Sequence, residues 1–240
     1  MTEEQALQVA DKIFLDVFGR KNPFTLEELE RRYTTGVLLP QKERCAVSGK
    51  EVFLYHPQTH LKTLSFESFL DEAKQTDWMY PSRPINSIDD LMKAWDRVAY
   101  MTAGKELDSQ DVTDSDSIIK SQGVYKSSLI NGSKNILLSN GCFYCNFMIG
   151  SRDNTSCNFG LRIVDSEYCS SSFEVRWGGK VSRSFFIVDS FDLYECMFCY
   201  GLRSKKFCIA NMQYEEQEYL RIKQMVIQWI LDKYIGTIQP

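Results

Sequence analysis

The sequence predicts an α+β N-terminal region followed by a β-solenoid, a β-helix-like stack of coils, with a C-terminal capping helix. Two observations carry the solenoid. Taking every third residue from Ser109 to Cys208, 32 of 34 positions are Ser, Cys, Gly or aliphatic (Met148 included), and only Asn154 and Lys205 depart. The same stretch holds 21 charged residues, of which one falls in this frame, seven in the next and 13 in the third. A third observation brackets it: helix-start signals and helical spacing lie before and after this stretch. An α-helix turns every 3.6 residues, so its apolar stripe cannot keep a period of three over such a length. A simple strand meander has a period of two. Short strands that turn at fixed intervals and stack in register give a multiple of three.

From the N-terminus, Thr2 and Gln5 form a capping-box pair. Ala6, Leu7, Ala10, Ile13, Phe14, Val17 and Phe18 follow at helical spacing, and Gly19 with Asn22-Pro23 ends the helix. Thr25 and Glu28 open a second, short helix reaching about Tyr33. Val37-Leu38-Leu39-Pro40 reads as a short strand, and residues 44–64 as a small antiparallel sheet with Val52, Leu54 and Tyr55 on one strand. A helix is predicted from about Phe66 to Lys74. Ser87 and Asp90 cap another carrying Ile88, Leu91, Met92, Trp95 and Val98. That helix, Ile88–Met101, is predicted to cover the first coil, because an open terminal coil is an exposed sheet edge. The boundaries are 1–104 for the N-terminal cap, 105–212 for the solenoid and 213–240 for the closing helix, whose apolar side carries Leu220, Ile222, Met225, Val226, Trp229, Ile230 and Tyr234.

Within the solenoid, coils of about 12 residues would give roughly eight coils and a stack of about 40 Å, and coils of about 18 or about 24 residues fit the same period. Phe147, Phe159, Phe173, Phe186 and Phe198 recur near one phase and are predicted to stack as a ladder. Between Cys169 and Ser184 a step of twelve becomes fifteen. That irregular stretch contains Glu174, Arg176, Trp177 and Lys180, with Arg183 just beyond, and is the candidate recognition patch.

The chain resembles the cysteine- and serine-rich repeat region of uncharacterised proteins from Saccharibacteria and other candidate-phyla bacteria. The match is carried by Cys208-Ile209-Ala210-Asn211-Met212-Gln213-Tyr214 with Glu218-Tyr219, by Ser133-Lys134-Asn135, and by Cys45-Ala46-Val47-Ser48-Gly49-Lys50. The resemblance implies no activity. Some of those proteins have paired cysteines near the N-terminus that look metal-binding, whereas this sequence has Cys45 alone there.

Composition limits the chemistry. Hydrophobic residues are 43%, charged residues 25% and the net charge is −4 over 240 residues. There is no basic block, which argues against nucleic acid or an anionic membrane as partner. No apolar run reaches transmembrane length. Acidic residues follow Met1 where a secretion signal carries lysines, so a cytoplasmic location is expected and the eight cysteines are expected to be thiols. The doubled Cys-x-x-Cys, Cys142/Cys145 and Cys196/Cys199, is a candidate metal or redox set. Both pairs, however, belong to the period-three frame, so their spacing follows from the repeat. His56 and His60 read as turn residues. Residues 61–240 contain no histidine, which removes the usual base or ligand of solenoid acyltransferases and carbonic anhydrases. Regular threonine pairs that could bind ice are also missing, with only Thr113 and Thr155 in the repeat. No nucleotide-cofactor motif occurs. The leading expectation is a non-enzymatic scaffold or binding module with a protein or glycan partner and no cofactor. The alternative is a glycan hydrolase or lyase using outward carboxylates among Asp165, Glu167, Glu174, Asp189, Asp192 and Glu195, near Arg162, Arg176 and Arg183.

Overall fold

A computed structural model describes residues 1–236. Helix α1 (Glu3–Phe18) starts at the predicted capping box: the Gln5 N–H donates to Thr2 Oγ1 and the Thr2 N–H to Gln5 Oε1. It ends at Gly19, whose φ of 68° is the left-handed conformation glycine adopts without steric cost. Helix α2 (Leu26–Tyr33) uses Thr25 and Glu28 in the same way. Val37–Pro40 is not a strand. Pro40 has no N–H to give a ladder, and the Leu38 carbonyl instead accepts the Ser128 hydroxyl, which straps this segment to the solenoid.

The expected antiparallel sheet is only a hairpin. Strands β1 (Gln41–Arg44) and β2 (Glu51–Leu54) pair antiparallel, but β3 (Lys62–Ser65) pairs in parallel with β4 (Tyr100–Ala103), whose first two residues fall in the helix predicted over Ile88–Met101. Helix α3 (Phe66–Thr76) follows β3, and α4 (Ile88–Asp96) precedes β4. Ser87 caps α4 as predicted, but α4 stops at Asp96 and none of its residues is buried. It therefore does not cover the first coil. Asp116 makes that junction, accepting the N–H groups of Tyr55 (2.9 Å) and Lys105 (3.0 Å).

The solenoid comprises the parallel strands from Glu106–Leu107 to Arg203–Ile209, finished by the antiparallel strand Met212–Gln213. Each residue pairs with the one twelve further on: Ser128 with Asn140, Asn140 with Arg152, Phe173 with Phe185, Phe185 with Met197. The coil is therefore twelve residues, and about nine coils stack. The predicted fifteen-residue step does not exist, because Ser170 pairs with Ser182 and Val175 with Ile187.

The backbone explains the period of three. Every third residue from Asp108 to Ala210 has a positive φ. Each triplet is thus two extended residues and one left-handed residue, and four such turns close a four-sided coil. A left-handed conformation is costly for β-branched side chains. All 16 Val, Ile and Thr residues between positions 108 and 210 accordingly lie in the other two frames.

The inward frame has two jobs, hydrogen bonding and filling. Apart from Ser151, whose hydroxyl has no partner, each inward serine hydroxyl accepts the N–H of the residue one coil on and donates to the carbonyl two residues before it. Ser127, Ser139 and Ser151 form one such run: the Ser139 N–H donates to Ser127 Oγ and the Ser151 N–H to Ser139 Oγ. Aliphatic residues occupy the other inward columns and supply the apolar core. Partway along, the two kinds exchange places. The column of Ser127, Ser139 and Ser151 continues as Ile163, Val175 and Ile187, while that of Val124, Ile136 and Met148 continues as Gly160, Ser172 and Ser184. This exchange keeps each coil evenly filled. It also mimics an insertion: Val181 follows Cys169 in its column, and Ser184 stacks on Ser172.

One outer side is covered. Tyr125, Leu137, Ile149, Leu161, Phe173, Phe185 and Met197 sit twelve apart and form an outward column buried with α1, α2 and α5 (Glu216–Lys233) in one core. The predicted aromatic ladder is really two stacks, Phe147 on Phe159 (4.6 Å) and Phe186 on Phe198 (4.7 Å), on opposite edges of that column. Phe173 belongs to the column itself and meets Phe18 edge-on at 5.4 Å. Helix α5 caps the solenoid from this flank, with Tyr219 against Phe207, Trp229 against Phe186 and Tyr234 against Phe173.

Candidate functional site

Gly179 lies six residues, half a coil, after Phe173, so it sits on the side opposite the helices. That side is bare, and it carries a groove of about 710 Å³. Three columns build it: Asp165, Trp177 and Asp189 at one corner; Glu167, Gly179 and Phe191 on the flat side; Tyr168, Lys180 and Asp192 at the next corner. Stacked coils are about 4.8 Å apart, so the rows are held at fixed spacing.

At the centre of the groove the middle coil carries the pair Gly178-Gly179, with no side chain on its flat side. Gly178 points inward, where a Cβ would lie 2.7 Å from Val175 Cγ1. Gly179 points outward, and a Cβ there would meet the Phe191 ring at 2.8 Å. The Phe191 ring, one coil on, thus lies close over the Gly179 backbone. Trp177 and Tyr168 are 66% and 59% exposed, which leaves their ring faces to solvent.

The lining is acidic. Asp165 is paired with Arg152 (3.3 Å) and Asp192 accepts the Ser204 hydroxyl (2.6 Å). Glu167, Asp189 and Asp192 form no ion pair among the described residues, and neither does Lys180. The Arg203 guanidinium sits over the Phe191 ring at 4.5 Å.

The five predicted patch residues do not form one patch. Consecutive triplets lie on different sides of a four-sided coil, so this stretch wraps around the molecule. Trp177 and Lys180 line the groove. Glu174 faces the helical flank at 5% exposure, where it pairs with buried Arg162 and accepts the Tyr234 hydroxyl. Burial pushes its carboxyl up, against the pull of Arg162, Tyr234 and Arg176. Arg176 stands beside Glu174 at 3.7 Å. Arg183 pairs with Glu195, and its carbonyl accepts the Lys223 ammonium. Of the residues proposed as carboxylate catalysts, Asp165, Glu167, Asp189 and Asp192 line the groove, whereas Glu174 and Glu195 anchor the C-terminal segment. Tyr168 and Phe191 were not singled out from the sequence. Read at a period of twelve rather than three, they fall into register with Lys180 and Gly179.

Six solenoid cysteines make the serine-type bond, their Sγ donating to the carbonyl two residues before, whereas Cys142 follows Ile118 and Ile130 in an aliphatic column. The Cys157 N–H donates to Cys145 Sγ, the Cys169 N–H to Cys157 Sγ and the Cys208 N–H to Cys196 Sγ. Hydrogen bonding to Cys145 and complete burial hold the Cys142 thiol well above the usual range, and bonding to Cys199 with burial does the same for Cys196. The pairs Cys142/Cys145 and Cys196/Cys199 lie more than four coils apart, about 20 Å, whereas one zinc ion holds its sulfurs within about 2.3 Å. Cys45 sits apart in the N-terminal region. Burial raises its thiol, but the N–H groups of Ser48 (3.4 Å) and Ser65 (3.3 Å) bring it down to about 5. His56 lies beside Tyr55 and His60 beside Trp95. No helix among the described residues is long and apolar enough to cross a membrane.

The site and fold define a β-solenoid of twelve-residue coils with one helix-covered flank and one bare aromatic face. The chain matches no protein-family model and no curated protein.

Proposed function

We propose that this chain is a non-enzymatic binding module that presents the bare solenoid face to a partner. The observation that carries the reading is the groove around Gly179, with Trp177 and Tyr168 exposed at its walls. Exposed aromatic rings are costly to leave in water and are enriched where proteins bind. The solenoid fixes their spacing, so little ordering entropy is lost on binding. The test compares the intact chain with Trp177→Ala and Tyr168→Ala on peptide and glycan arrays. The ligand retained by the intact chain is expected to bind about tenfold more weakly to Trp177→Ala, a loss of about 1.4 kcal/mol. Equal retention by all three proteins contradicts the reading.

A second reading is supported by the carboxylates in the same groove. Asp165, Glu167, Asp189 and Asp192 line it beside Trp177, and glycoside cleavage needs two carboxylates about 5 to 9.5 Å apart. This reading expects release of sugar ends from an oligosaccharide, lost in Asp189→Asn or Asp192→Asn. Binding without cleavage leaves the module reading standing.

A further inference from the structure

We propose that the groove takes a cationic, lysine- or arginine-bearing segment of a partner protein, an inference that rests on its being the binding site. Charge complementarity points there. Glu167, Asp189 and Asp192 have no cationic partner among the described residues, and Lys180 is the one ammonium lining the groove with them. The rings point the same way. A guanidinium or ammonium is drawn to the negative face of an aromatic ring, and most strongly to that of tryptophan. Trp177 stands at one corner, between Asp165 and Asp189 in its own column. One of the lining rings, Phe191, already carries a cation of this chain, the Arg203 guanidinium at 4.5 Å. A basic side chain laid against Trp177 would have Asp189 within one coil of it, about 4.8 Å along the stack. Ring and carboxylate therefore converge on the same charge, and the coils hold them ready without rearrangement.

The experiment titrates the full chain by calorimetry with a short oligolysine peptide, an oligoglutamate peptide and a neutral oligosaccharide. Oligolysine is expected to bind and oligoglutamate not to. Affinity is expected to fall as salt rises from about 50 mM to about 200 mM, as screening requires. The triple variant Glu167→Gln, Asp189→Asn, Asp192→Asn changes only groove-lining carboxylates outside any ion pair and is expected to lose about tenfold or more in affinity. Trp177→Ala is expected to weaken oligolysine binding at both salt concentrations. Oligolysine binding no better than oligoglutamate, or unchanged by the triple variant, overturns the inference. Oligosaccharide binding that depends on Trp177 but not on the carboxylates overturns the cationic ligand and leaves the module reading intact. Loss of no ligand in any groove variant overturns both.

Discussion

An inward serine in this protein is a backbone hydrogen-bonding device. Ser139 is fully buried; its hydroxyl donates to the Leu137 carbonyl (2.7 Å) and accepts the Ser151 N–H (3.2 Å). Without it, a buried N–H at the turn of the next coil has no acceptor, which costs about 1–3 kcal/mol. Ser139→Ala is therefore expected to lower stability by about that amount in urea unfolding. Ser139→Cys is expected to cost less, since Cys145 already accepts the N–H of Cys157 one coil on. An alanine variant as stable as the parent would show that the ladder does no such work. The period of three was legible because this requirement recurs at every turn. Its cause was not, since the left-handed turn leaves its trace as an absence of β-branched residues from one frame, and absences are easily overlooked.

At the scale of elements, helix starts and the closing role of α5 were legible in the sequence, whereas the place of α4 was not. Thr2, Thr25 and Ser87 cap the helices their neighbours predict, because capping is settled within four residues of sequence. Where α4 and α5 pack depends on partners far along the chain. The apolar pattern of α4 suggests a cover, yet its residues remain exposed or half-exposed; α5 lies along the flank because Phe173, Phe185 and Met197 recur every twelve residues to receive it. Lys223 on α5 is tied there by its ion pair with Glu195 and by the Arg183 carbonyl (2.8 Å). Both members of the pair are buried, so removing one strands a charge. Glu195→Ala is expected to destabilise the protein by about 3–5 kcal/mol, while the double change Glu195→Met, Lys223→Met is expected to be far milder. Thermal unfolding of the two variants separates a buried charge pair from a surface one, for which both changes would be small.

For the molecule as a whole, the division of labour is between a hydrogen-bonded interior and a bare outer face. The solenoid and the inward placement of the thiols are legible in the period of three. Trp177 and Lys180 line the groove, but Glu174, Arg176 and Arg183, their neighbours in the predicted patch, are sent by the four-sided coil to other faces. Neighbours in sequence separate at each corner, and neighbours in space lie twelve apart, so a patch read from consecutive residues is scattered by the fold. Six of the seven solenoid cysteines stand in for serines of the interior ladder and Cys142 fills an aliphatic column, so none of the seven is expected to hold a metal. Alkylation of the native protein, read site by site by mass spectrometry with and without a chelator, tests it directly. Cys142, Cys145, Cys157, Cys169, Cys196, Cys199 and Cys208 are expected to stay protected in both conditions, being buried, and to react once the chain is unfolded. Rapid native labelling at Cys142, Cys145, Cys196 and Cys199 that appears only after chelation would contradict it.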